Sequence, residues 1–282
     1  MKNAMQLKAI VKNVAKEKHI SAQLVLQNYM MERLLERVAA SKYNENFILK
    51  GGFLIASMVG LNSRATMDMD ATIKGVSLSQ EQVKEMFQEI CAISLEDDMS
   101  FSFQSIGKIR KDDEYGGYRV AVTANYPPMA VPLKLDITTG DKITPTEILY
   151  QFPLLFEKRT ISVLAYNLET IMAEKLEAIL SRGNQSTRLR DYYDVYILTK
   201  MYGDKMVLHN LREAIIATLQ KRDSEIIITE YRDIIRNVRE SKQMQEQWKN
   251  YQKNFEYAKD ISFDDACDTV IEGMNQVGKT EV

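Results

Sequence analysis

Histidine and cysteine are scarce in this 282-residue chain, which has two of each. With only His19 and His209 available, a metal site built on several histidines or a histidine-based nucleophilic triad is not expected. Cys91 and Cys267 lie far apart and match no zinc-ligand spacing. They read as buried thiols in a reducing cytoplasm rather than as a disulfide. No apolar run approaches the ~18–20 residues of a membrane span. The opening stretch MKNAMQLKAIVKNVAKEK is basic but has no apolar core or cleavage site, so export is not expected. The formal charge of −2 carries no global signature of a nucleic-acid binder. A polynucleotide would have to be met by local basic patches: Lys108, Arg110 and Lys111; Arg182, Arg188 and Arg190; or Arg232, Arg236 and Arg239. Each of these also reads as a solvated face. Internal repeats and low-complexity tracts are lacking too.

What is present is an ordinary globular composition, 45% hydrophobic and 27% charged, enough for one large domain or two moderate ones. Helical periodicity covers residues 4–18 and 21–41, the second opening on Ser21 as N-cap, with an apolar stripe from Leu24 to Val38. Ser79 and Gln82 fit a capping box for a helix running to about Ile93. Period two then takes over in SFSFQSIGKI, YRVAVTANY and PLKLDITTG. These predict three mainly antiparallel strands, with turns near Asp112–Gly117 and at Pro127-Pro128. A short strand over Ile161–Tyr166 precedes a helix from Asn167 or Leu168 to Gly183. Beyond Tyr202 the pattern is helical throughout. The expected organisation is an α+β fold: a mixed sheet flanked by helices over residues 1–165, then a helical domain over 166–282.

The rest is arranged around FILKGGFLIASMVGLNSRATMDMDATI, residues 47–73. A short apolar strand stops at Gly51-Gly52, a helix begins there, and a second strand carries Asp68 and Asp70. Residues two apart in a strand share a face, so the two carboxylates point the same way. Like charges so placed repel unless a cation lies between them. A di-glycine turn lets backbone N–H groups approach a phosphate at a helix N-terminus, and paired carboxylates suit Mg²⁺. Taken singly, the glycines read as a turn and the carboxylates as a solvated strand edge. Further on, Lys134 and Asp136 share a strand face. They are either a surface ion pair or the source of a third carboxylate beside Asp68 and Asp70. Lys175 sits near an apolar helical stripe, where a lysine ordinarily snorkels outward. Asp191 and Asp194 fall in a first helical turn, where capping alone accounts for them.

The ordered set KGG…RATMDMD, KLD, AEKLEA and RDYYDVY resembles the AbiEii/AbiGii family of nucleotidyltransferase-like toxins. These belong to abortive-infection (phage-defence) and type IV toxin–antitoxin systems, within the DNA polymerase β-like superfamily. The resemblance implies transfer of a nucleoside monophosphate from an NTP with Mg²⁺ or Mn²⁺, pyrophosphate release, and modification of the acceptor end of tRNA that shuts down translation. It implies a cognate antitoxin without a stable complex. By position it assigns Lys50, Gly51 and Gly52 to the phosphate turn and Asp68, Asp70 and Asp136 to metal and catalysis. It assigns Arg64 to a phosphate or a neighbouring Asp, Lys175 to the triphosphate, and Asp191 to orienting Lys175 or the nucleotide. Gly-Gly replaces the superfamily's usual Gly-Ser, so no hydroxyl meets the phosphate there. The alternatives are a protein hydroxyl as acceptor, or a module that binds NTP and transfers nothing.

Overall fold

Period-two patterning in the middle of the chain builds a sheet, and helical patterning on either side builds its cover. The computed structural model describes residues 4–75, 79–109 and 117–278. In order the elements are α1 (Ala4–Glu17), α2 (Ala22–Ala40), β1 (Phe47–Lys50), α3 (Gly51–Val59), β2 (Met69–Ile73), α4 (Gln80–Ala92), β3 (Ser100–Lys108), β4 (Tyr118–Tyr126) and β5 (Met129–Thr139). Then come β6 (Ile148–Pro153), β7 (Thr160–Ala165), α5 (Leu168–Arg182), α6 (Leu189–Tyr202), α7 (Leu208–Lys221), α8 (Ile227–Glu240), α9 (Lys242–Asn254) and α10 (Phe263–Gly278). The strands form one seven-stranded sheet in the order β3-β4-β5-β2-β1-β7-β6. β2 runs parallel to β5 and β1 parallel to β7, while the remaining neighbours are antiparallel. The fold is thus α+β with a mixed sheet. The chain divides into two compact units, Met1–Asp141 with Ile148–Ala165, and Lys142–Glu147 with Tyr166–Val282.

In the first unit, alternation sorts β4 and β5 into two faces. Val120, Val122 and Ala124, with Leu133, Leu135 and Ile137, are buried. Arg119, Ala121, Lys134 and Asp136 therefore occupy the opposite face. α2 and α4 pack on the sheet, each held by its predicted cap. Ser21 Oγ accepts from Leu24 N at 3.1 Å, and Ser79 and Gln82 exchange both bonds of a capping box. α2 also buries two arginines. Arg37 is bidentate to Asp97 at 2.8 Å and donates to the Met99 carbonyl, tying the helix to the chain entering β3. Arg33 meets Glu32 at 2.8 Å, Glu36 at 2.9 Å and Glu157 at 3.1 Å, while Glu32 accepts from Leu155 N at 2.7 Å. One guanidinium is shared among three carboxylates, and burial pushes Glu32 up to about 7.

The second unit is helical and hangs on Trp248, which is buried with its indole N–H donating to the Ile261 carbonyl at 3.0 Å. Asn167 caps α5 by accepting from Thr170 N at 2.7 Å. Its amide donates to the carbonyls of Thr144 and Thr146 at 2.8 Å each. That side chain is why Lys142–Glu147 belongs with the helices. Cys91 and Cys267 are free and buried, and burial pushes their thiols up to about 11 and about 12.

Two features differ from the sequence expectation. β6 was not anticipated, because its residues Ile148 and Leu149 are exposed on a sheet edge and follow no clean alternation. The turn expected over 112–117, and the basic residues Arg110 and Lys111, fall outside the described residues, Gly117 excepted.

Candidate active site

The register of four strands assembles a row of charges. Arg119 on β4 is the partner of Asp136 on β5, Asp136 of Asp70 on β2, and Asp70 of Lys50 on β1. In-register neighbours share a face, so the four side chains stand side by side across strands ~5 Å apart. The face is the one opposite Leu135 and Ile137. Asp68, expected on the strand beside Asp70, instead lies just ahead of β2, which starts at Met69, and is exposed.

Each carboxylate in the row has a cation beside it. Arg119 grips Asp136 in a fork, Nε to Oδ1 at 2.8 Å and Nη2 to Oδ2 at 2.7 Å. That pair, together with the charges of Asp68 and Asp70, raises the Arg119 pKa above its usual value. At the other end Lys50 pairs with Asp141, which also accepts from Thr138 Oγ1 at 2.7 Å. Sequence reading picked out neither Arg119 nor Asp141. The signal for Arg119 lay in the Pro127-Pro128 turn. Counting seven residues back along each strand from the Tyr126–Met129 pair lands on Arg119 and Asp136.

The turn in front of the row depends on glycine. Gly51 adopts φ +68°, and a Cβ there would lie 2.2 Å from Asp70 Oδ2 and 2.8 Å from Asp70 Cβ. The bare backbone is what allows the first turn of α3 to sit against that carboxylate. Lys50 takes the N-cap position without a capping side chain, leaving the leading N–H groups of α3 for another acceptor. Gly52 faces Arg64, whose Nη2 would be 3.1 Å from an added Cβ. Arg64 is only 2% exposed and donates from Nη1 to the Ala65 carbonyl at 2.5 Å. Arg64 is therefore a buried side chain packed against the turn at Gly52.

In the second unit Lys175, on α5, does not snorkel. Its Nζ is clamped by Asp191 Oδ1 at 2.5 Å and Asp194 Oδ2 at 2.9 Å. Asp194 is 0% exposed. α6 begins at Leu189, so only Asp191 stands in its first turn and Asp194 lies one turn further on, against the expectation that both would; together they hold a lysine on the neighbouring helix.

An all-oxygen set of Asp68, Asp70 and Asp136 suits a hard cation such as Mg²⁺, and the register brings two of the three onto adjacent strands. Yet among the described residues no three Asp, Glu, His or Cys side chains gather closely enough to hold a metal ion. The expected three-carboxylate centre is therefore not preassembled. Asp136 meets the guanidinium of Arg119 instead. The donor chemistry and the register fit the ion.

Among solved structures, a protein from H. pylori assigned as a nucleotidyltransferase superposes with a TM-score of 0.51 at 17% identity, covering 93% of this chain and 100% of that one. JHP933 from Helicobacter pylori gives 0.48 at 18% identity, covering 92% and 94%. No curated protein matches the sequence. Among the described residues no helix is long and apolar enough to cross a membrane. Residues 33–269 match the family described as nucleotidyl transferase AbiEii toxin, type IV TA system. That match spans both units and every residue of the charged row, and the chain belongs to the AbiEii family of nucleotidyltransferase toxins.

Proposed function

We propose that this protein is a Mg²⁺-dependent toxin that transfers a nucleoside monophosphate from an NTP to the acceptor end of tRNA, releasing pyrophosphate and arresting translation. The observation that carries the reading is the in-register placement of Asp70 beside Asp136, with the Gly51 backbone against Asp70. A buried packing site has no need to set two carboxylates side by side on the open face of a sheet. Nor does it need a glycine in the left-handed region in front of them. In this reading the leading N–H groups of α3 take phosphate oxygens, favoured by the helix dipole. Arg64 holds the turn in place from within. Asp70 and Asp136, with Asp68, hold the ion, which when bound supplies charge neutralisation at the α-phosphate and lowers the pKa of the acceptor hydroxyl. Within the second unit, Asp191 and Asp194 fix the Nζ of Lys175, the residue whose place in the AEKLEA motif marks it for a phosphate-binding role as a compact point charge. Purified protein incubated with each of the four α-labelled NTPs and total tRNA tests the reading. Label in the tRNA band is expected, and its appearance in protein instead would move the acceptor to a protein hydroxyl.

A second reading is favoured by one observation, the fork of Arg119 on Asp136. A protein that bound NTP as a regulatory module could keep this carboxylate permanently neutralised. It would bind nucleotide without releasing pyrophosphate, and its toxicity would survive loss of Asp70.

A further inference from the structure

Two arginines of the first unit hold a carboxylate in the same bidentate way, and the contrast between them is informative. Arg37 is 0% exposed, and besides Asp97 it donates to the carbonyls of Arg33, Ile93 and Met99. Its donors are fully committed, so it is a structural fastener. Arg119 is 54% exposed and its partner Asp136 is 22% exposed. Of its five N–H donors it commits two to Asp136 and, among the described residues, none elsewhere. An exposed pair of this kind contributes little to stability, so the fold does not require it. A guanidinium fork matches phosphate as well as carboxylate. The site where the fork now rests is beside Asp70, on the face that the Gly51 turn approaches.

From these observations, and resting on the nucleotidyltransferase reading, we propose that Arg119 is an exchangeable cation of the site. In the nucleotide-free protein it neutralises Asp136. When a divalent cation and a nucleoside triphosphate arrive together, Asp136 turns to the cation and Arg119 moves to the triphosphate. The exchange conserves charge: the carboxylate gains the metal as it loses the guanidinium, and the guanidinium gains a phosphate as it loses the carboxylate. Cation binding and nucleotide binding are thereby coupled, and the metal alone binds weakly because it must displace the arginine. A residue that only braced the sheet would give no such coupling.

The proposal requires that removing Arg119 move two affinities in opposite directions. The measurements are titrations of the full-length protein with Mn²⁺ alone, followed by electron paramagnetic resonance, and with a nonhydrolysable triphosphate analogue at saturating Mn²⁺, followed by calorimetry. In Arg119→Gln, Mn²⁺ alone is expected to bind roughly fivefold tighter or more, because its competitor is gone. The analogue is expected to bind about tenfold weaker, for want of one charge-assisted contact. Arg119→Lys, which keeps the charge but not the fork, should fall between the two proteins on both axes. Lys134→Gln removes the same charge from the same face of β5, two residues from Asp136, and should leave both affinities unchanged. Unchanged or weaker Mn²⁺ binding in Arg119→Gln overturns the exchange, as does unchanged analogue binding or an equal shift in Lys134→Gln. Mn²⁺ binding that is lost in Asp70→Asn yet indifferent to Arg119→Gln overturns the exchange alone. Absence of Mn²⁺ binding from the unsubstituted protein, even with the analogue present, overturns the nucleotidyltransferase reading and the exchange with it.

Discussion

At Gly51 the backbone sits at φ +68° with the Asp70 carboxylate where a side chain would begin. Gly51→Ala therefore strains the turn and pushes Asp70 aside at once. It is expected to destabilise the protein by about 1–3 kcal/mol and to abolish transfer. Thermal unfolding and the labelled-NTP assay read the two effects, and a variant that kept full stability would contradict this account of the turn. Lys175 makes a different prediction. Removing it takes a cation away from the buried Asp194, so Lys175→Ala should destabilise by roughly 3–5 kcal/mol. Loss of nucleotide binding in that variant alone would thus be ambiguous. The double variant Lys175→Met with Asp194→Asn removes both charges of the pair. It should regain most of the stability in a denaturant titration while still failing to bind nucleotide. Restored nucleotide binding would return Lys175 to a purely structural role. At this scale much of the candidate site was legible: Asp68, Asp70, Asp136 and the glycines stand in local motifs. Arg119 and Asp141 do not, because their importance comes from the strand beside them and not from their chain neighbours.

Among the elements, α2 carries the clearest pH dependence. Glu32 is raised from 4.5 to about 7, chiefly by burial, with Arg33 pulling the other way. Between those values the folded protein keeps a proton that the unfolded chain has already released. Stability should therefore fall as pH climbs from about 4.5 to about 7, and level off above. The contribution is on the order of 3 kcal/mol. Glu32→Gln should flatten that decline in a series of melting temperatures across pH 5–8, and an unaltered slope would show that other groups set it. Periodicity made the helices and β3–β5 readable, and Ser21, Ser79 and Asn167 are capping residues visible in the sequence itself. The parallel pairing of β2 with β5 was not readable. It joins strands separated by α4, β3 and β4, and no local pattern states which distant strands become neighbours. β6 escaped notice for the same reason, being a sheet edge defined by its partner β7.

Over the whole molecule the family match and the two units set the frame, and the surface charges narrow the search for an acceptor. One basic patch proposed for a polynucleotide is largely taken up internally: Arg236 pairs with Asp233 at 2.7 Å, and Arg239 with Asp268. Arg188 and Arg190, exposed at the start of α6, carry no ion pair among the described residues and are the better candidates for phosphate contacts. Replacing both with glutamine should weaken tRNA binding and reduce its salt dependence by about two phosphate contacts, as read in binding isotherms at several salt concentrations. The central claim is that Asp70 and Asp136 serve phosphoryl transfer. Its most direct measurement compares the unsubstituted protein with Asp70→Ala for transfer of labelled nucleotide to total tRNA, at matched folded fraction. The expected result is incorporation that requires a divalent cation and falls about a thousandfold or more in Asp70→Ala. Undiminished incorporation by Asp70→Ala would contradict the claim outright.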